Sequence, residues 1–203
     1  MITYKEFNLA QYRSALGAFG TGVAIVSTKT TDDLPVGVTI NSFNSVSLDP
    51  PIVLWSLNKQ SPSLKAFDDT GKFVIHVLSK DQVNLSKRFS SRIEDKFANV
   101  DYALGKLGVP LIPDCSAIFE CTTWQRQEVG DHILFLGLVE NFKSTEKEAL
   151  LYYKGRYASG IEIETNFISK DRHKLTKEID EIQYFYDATA PTGSQCDGNT
   201  ERR

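Results

Sequence analysis

A chain of 203 residues, 41% hydrophobic and 24% charged, has the composition of a folded globular protein with one sizeable core, which excludes wholesale disorder. Its 23 basic and 26 acidic side chains leave a net charge of −3, so no global positive field exists to hold nucleic acid or an anionic membrane. The opening residues Met1 to Glu6 lack the basic stretch and apolar run of a secretory signal, and the longest apolar runs are too short to span a bilayer, so a cytoplasmic location is expected.

In chain order, Asn8 is a candidate N-cap, and Tyr12, Leu16 and Phe19 recur at helical spacing after it. Gly17, Gly20 and Gly22 then end a short helix before the apolar strand Val23 to Val26. Asp32-Asp33 marks a turn, and Val36 to Ser47 reads as a strand rich in β-branched and small polar residues. Asp49-Pro50-Pro51 stops it before the strand Ile52 to Leu57, so the two strands are expected to pair antiparallel. Short helices are expected at Ser63 to Phe67 and Lys80 to Phe89, on either side of the strand Phe73 to Leu78. Two longer strands, Ala117 to Gln127 and His132 to Asn141, are joined by the four residues Glu128 to Asp131, a length that suits a hairpin.

Many strands and few short helices predict a mainly β protein built on a closed or partly closed antiparallel barrel, spanning residues 1–160. Residues 161–203 form a C-terminal extension. Leu175, Ile179, Ile182 and Tyr186 share one helical face, which predicts a helix at about 169–187 and a polar, flexible tail from Pro191. The odd count of three cysteines, Cys115, Cys121 and Cys196, makes no disulfide framework or C-x-x-C motif. Cys115 and Cys121, six apart, are expected on one face of one strand as small semi-buried residues.

The cluster Gly17-Ala18-Phe19-Gly20-Thr21-Gly22 is not a dinucleotide fingerprint, because its spacing is reversed and helix precedes strand; a helix C-cap turn fits better. His76, His132 and His173 are scattered and form no ligand pair, so no metal site is expected. Hydroxyl and amide side chains crowd Gly37 to Ser47, where they and backbone N–H groups can hold a phosphate or the polar edge of a heterocycle. Ser56, Asn58, Ser61 and Ser63 form a second polar cluster that converges with the first if the two strands pair. His132 opens a strand and is expected at a barrel rim. Lys87-Arg88 reads either as a phosphate partner or as a solvated helix end, and Tyr152, Tyr153 and Tyr157 either stack on a flat ring or pack in a core or interface.

Several of these segments, taken together and in order, resemble the flavin reductase family with the FMN-binding split β-barrel, the reductase components of two-component flavin monooxygenases. The segments are Arg13 to Val23, Gly37 to Ser47 with Leu48-Asp49-Pro50-Pro51, Phe89, Gly130-Asp131-His132, and Leu151 to Tyr157, which together span about residues 10–160. Ala149 stands where many relatives carry proline. The resemblance implies a homodimer of six-stranded barrels that binds FMN or FAD, reduces it with NADH or NADPH and supplies an oxygenase. By matched position it places Thr39, Ile40, Asn41 and Ser42 at the flavin ribityl and phosphate region, completed by Ser56, Asn58, Ser61 and Ser63. It makes Arg88 a candidate for phosphate or adenylate, with Phe89 beside it, His132 the catalytic residue near the nicotinamide and flavin rings, and Tyr153 a residue of the closing segment. A non-catalytic flavin- or haem-binding module on the same barrel is the alternative reading.

Overall fold

A computed structural model describes residues 8–160, and the expected helix at about 169–187, the polar tail and Cys196 lie outside the described residues. Helix α1 (Leu9–Leu16) begins where Asn8 accepts bonds from the backbone N–H groups of Ala10 and Gln11, and it ends at Gly17. The short strand β1 (Thr21–Gly22) precedes β2 (Ala24–Lys29), whose turn at Asp32-Asp33 leads into β3 (Pro35–Ile40). The polar segment expected as one strand divides here: residues 41–43 leave the sheet, and β4 (Asn44–Leu48) starts anew. Strand β5 (Pro51–Asn58) pairs antiparallel with β4, as the Asp-Pro-Pro stop predicts.

Helix α2 (Leu64–Thr70) and β6 (Lys72–Val77) follow, then a 3-10 turn at Lys80–Gln82 that runs into α3 (Val83–Ser90). A small hairpin of β7 (Ala103–Leu104) and β8 (Pro110–Leu111) precedes two long strands, β9 (Ala117–Val129) and β10 (His132–Ser144). These two run further than expected, so only Gly130 and Asp131 remain as the turn. Gly130 takes φ 57° at the first turn position, where a side chain would be strained. Strands β11 (Leu150–Tyr153) and β12 (Arg156–Ser159) close the described chain and form a small sheet with β1.

The main sheet has the order β3-β2-β6-β9-β10-β5-β4, with every pair antiparallel. It counts seven strands rather than six because the segment after β3 breaks, and its two edges, β3 and β4, are consecutive in the chain. The sheet therefore curls without closing, a split barrel.

Alternation along the strands places one core inside it. Val53, Trp55 and Leu57 of β5 face Ile133 and Phe135 of β10, Phe73 and Ile75 of β6, and Ala24 and Val26 of β2. Trp55 stacks on Phe135 at 4.6 Å and meets the edges of Phe67 and Phe73, and burying each such ring contributes roughly 1.5–3 kcal/mol. The opposite face of β2 and β6 carries a second core, where Val23, Ile25 and Leu78 pack against Phe89, Phe97, Ile112 and Leu150. Cys115 and Cys121 are buried, and burial pushes each thiol up to about 12. They do not share a strand face, however: Cys115 precedes β9 and packs in the second core, whereas Cys121 lies on β9 in the first. No helix among the described residues is long and apolar enough to cross a membrane.

Candidate functional site

Where β3 ends, the two polar clusters meet. Val38 to Ser42, Ser56 to Asn58, Ser61 and His132 line one cleft of about 340 Å³. Strand pairing assembles it, because Asn58 at the end of β5 is opposite His132 at the start of β10. The link after β3 then folds back onto β5. A wider cleft of about 780 Å³ shares Val38, Thr39 and Ser61 with the first and continues along Ser63 and the segment Phe89 to Lys96. Both volumes suit small-molecule ligands.

His132 sits at the rim as expected, with 43% of its side chain exposed. Its Nδ1 lies 2.8 Å from Oδ1 of Asp131, and this hydrogen bond holds the Asp131 carboxyl below its ordinary range, with further help from Lys59. The carboxylate can only accept, so Nδ1 carries the proton and Nε2 is the ring's other nitrogen. Lys59 N–H donates to the Asp131 carbonyl at 3.0 Å, which ties the turn to the end of β5.

The polar side chains around this rim divide into two kinds. Asn41 is exposed, and neither its side chain nor its backbone N–H is bonded among the described residues. Asn58 uses Oδ1 to accept from Gln60 N–H at 2.8 Å, which leaves its amide nitrogen uncommitted. Ser61 Oγ accepts from Ser63 N–H at 3.3 Å at the entry to α2. By contrast, the Thr39 hydroxyl donates to the Ser86 carbonyl at 2.8 Å, and the Ser42 hydroxyl bonds both backbone groups of Ser56. Ile40 turns its side chain into the barrel core. Thr39, Ile40 and Ser42 thus line the cleft while their side chains hold the walls, a division that spacing does not reveal.

Of the other expected residues, Phe89 borders the wider cleft, while Arg88 and Tyr153 stand elsewhere. Arg88 lines neither cleft: its guanidinium donates to the carbonyls of Lys96 at 2.6 Å and Asp95 at 3.2 Å, so it braces a loop instead of standing free for phosphate. Phe89 is fully buried, edge-on to Phe97 at 4.8 Å, and Gly37 is required opposite it because a Cβ there would lie 2.4 Å from its ring. Tyr153 lies outside both clefts and is 44% exposed, with Lys154 Nζ 5.1 Å from its ring centre. Tyr152 and Tyr157 pack on each other and on the second core, and the Tyr157 hydroxyl lies 3.0 Å from Ser86 Oγ.

The wider cleft also holds two cations absent from the sequence-based set, Arg92 and Lys96. Lys96 Nζ donates to the Phe89 carbonyl at 2.8 Å and the Gly37 carbonyl at 3.4 Å, and partial burial lowers its pKa. No periodicity or motif marks either residue, because a bend in the loop after α3 brings them to the cleft.

An antiparallel sheet split between β3 and β4, with a polar rim cleft at the split, defines the class of FMN-binding-type split barrels. Residues 16–160 match the model of the flavin reductase like domain, and the chain belongs to that family. The reductase component of a flavin-dependent trigonelline monooxygenase from Acinetobacter baylyi is 40% identical over 161 residues, covering 79% of this chain and 52% of that protein. An FMN reductase (NADH), SmoA, from Agrobacterium fabrum is 44% identical over 150 residues, covering 74% of this chain and 85% of that one. Among solved structures, the NADH:FAD oxidoreductase SgcE6 of Streptomyces globisporus C-1027, in complex with NAD and FAD fragments, is 33% identical with a TM-score of 0.73, covering 78% of this chain and 96% of that one. The chain spans about half the length of the Acinetobacter relative and of a probable flavin reductase from Rhizobium meliloti.

Proposed function

We propose that this protein is an NAD(P)H:flavin oxidoreductase, which moves a hydride from NADH or NADPH to FMN or FAD and passes the reduced flavin to a separate oxygenase. The observation that carries this reading is the convergence of Asn41, Asn58 and His132 in one rim cleft. Neutral amide donors suit the heteroatom edge of a flavin ring and its ribityl hydroxyls, while Arg92 in the adjoining cleft, whose guanidinium is unbonded among the described residues, suits a phosphate. The relatives' activities, FMN reduction with NADH and NADH:FAD oxidoreduction, and the reductase role beside a monooxygenase support the same assignment.

Flavin and nicotinamide supply the redox chemistry when bound. The chain's part is positioning. Asn41 and Asn58 hold the flavin edge, and His132, aligned by Asp131, orients the nicotinamide or the flavin rim. Thr39, Ile40, Ser42, Ser56, Ser61 and Ser63 form walls of the two clefts.

The proposal extends to a homodimer working in the cytoplasm. Leu9 and Leu16 of α1 are exposed, and Phe19 beyond it is 76% exposed, an apolar stripe that a second copy would cover. Sedimentation analysis tests this, with a dimer expected.

The functional test is flavin titration beside steady-state NADH oxidation, with His132→Ala as the probe. The variant is expected to lower kcat/KM for NADH by about tenfold or more while flavin Kd stays within about twofold. Unchanged kinetics remove His132 from the mechanism.

A further inference from the structure

Strands β4 and β5 pair with Asn44 opposite Leu54 and Ser45 opposite Val53. Continued two residues back, this register places residue 42 opposite Ser56. The backbone does not follow, because residues 41–43 must turn away from the ladder to reach β3 at the other edge of the sheet. Both ladder bonds at Ser56 are nonetheless made. The Ser42 hydroxyl accepts from Ser56 N–H at 3.0 Å and donates to the Ser56 carbonyl at 3.2 Å. A hydroxyl, which donates one proton and accepts through two lone pairs, can stand in for a backbone N–H and C=O at once.

We infer that Ser42 is a positioning residue that latches the split of the barrel: its side chain replaces its own backbone in the β4–β5 ladder. Two consequences follow. The backbone N–H groups of Asn41 and Ser42 are released from pairing, and neither is bonded among the described residues, so both are available at the cleft they line. The end of β5 is also held against the link from β3, which sets where Asn58 and its ladder partner His132 stand relative to Thr39. The latch explains why a hydroxyl is needed at a position whose hydroxyl has no capacity left to donate to a ligand. Its catalytic consequence rests on the reductase reading, while the latch itself is a property of the free protein.

The test compares the full-length protein with Ser42→Ala and Ser42→Thr, using hydrogen exchange at the Ser56 amide without ligand and flavin-dependent NADH oxidation. Losing the acceptor is expected to speed exchange at Ser56 about tenfold or more, with the amides of Val53 and Leu57 unchanged. Ser42→Ala is also expected to raise KM for flavin several-fold with little change in kcat, and Ser42→Thr to restore both readouts. Should the alanine variant fail to fold, Ser42→Cys, whose thiol bonds more weakly, takes its place with the same expected direction. Wild-type exchange at Ser56 in the variant overturns the latch. Failure of the wild-type protein to oxidise NADH with any flavin overturns the reductase reading and leaves the exchange result to decide the latch.

Discussion

Asp131 and His132 are adjacent in sequence, yet their side chains meet at 2.8 Å on the same side of a two-residue turn, carboxylate to ring Nδ1. The carboxylate fixes which ring nitrogen carries the proton, so its effect on chemistry is exerted through His132. The pair is exposed, so solvent screens the contact and the effect is modest. Asp131→Asn is expected to lower kcat/KM for NADH by about two- to fivefold and to change the acid limb of the pH–rate profile, with flavin affinity unaltered. An unchanged profile would show that the turn alone orients the histidine.

Arg88 is a brace, and riboflavin distinguishes a brace from a phosphate ligand. Its guanidinium is bonded to two carbonyls of the loop that walls the wider cleft. Arg88→Ala is expected to cost about 1–3 kcal/mol of stability, because a charged donor is withdrawn from the part-buried Lys96 carbonyl. Any loss of affinity should be equal for FMN and for riboflavin, which has no phosphate. A loss confined to FMN would place Arg88 on the phosphate after all.

His76 is fully buried on the face of β6 that it shares with Ile25 of the second core, where Nδ1–H donates to the Ile25 carbonyl at 3.1 Å and Nε2 accepts from Ile112 N–H at 3.0 Å. A proton on Nε2 would face another N–H, and burial pushes the pKa down from 6.5 to about 4. The unfolded chain therefore binds a proton that the folded one refuses. The stabilisation is full above pH 6.5, declines as pH falls below it, and is lost through about pH 4, on the order of 3 kcal/mol in all. Urea unfolding across that window checks this. His76→Gln should flatten the slope by up to about 1.4 kcal/mol per pH unit.

Much of this architecture is legible in the residues. The Asn8 cap, the Asp49-Pro50-Pro51 stop and the apolar run Ile52 to Leu57 each act locally, and each produces the element it predicts. The meeting of the Thr39–Ser42 and Ser56–Ser61 clusters is legible as well, because the chain reverses at Asp49-Pro50-Pro51, whereas the pairing of β5 with the distant β10, which adds His132, is not. What spacing does not convey is which way a polar group spends its bonds. Ser42 and Thr39 resemble ligand hydroxyls in sequence and serve backbone partners in the fold, and Arg88 does the same. Arg92 and Lys96 reach the wider cleft through a loop bend, which no period in the sequence conveys. Cys115 lies two residues before β9, so a six-residue spacing does not put it on one strand face with Cys121.

The most direct measurement is the rate of NADH and NADPH consumption by the purified protein with FMN, with FAD and with no flavin added. The account predicts turnover that depends on added flavin and is weakened by His132→Ala. A folded protein that binds flavin yet consumes neither nicotinamide would contradict it, and would leave a cofactor-binding module in its place.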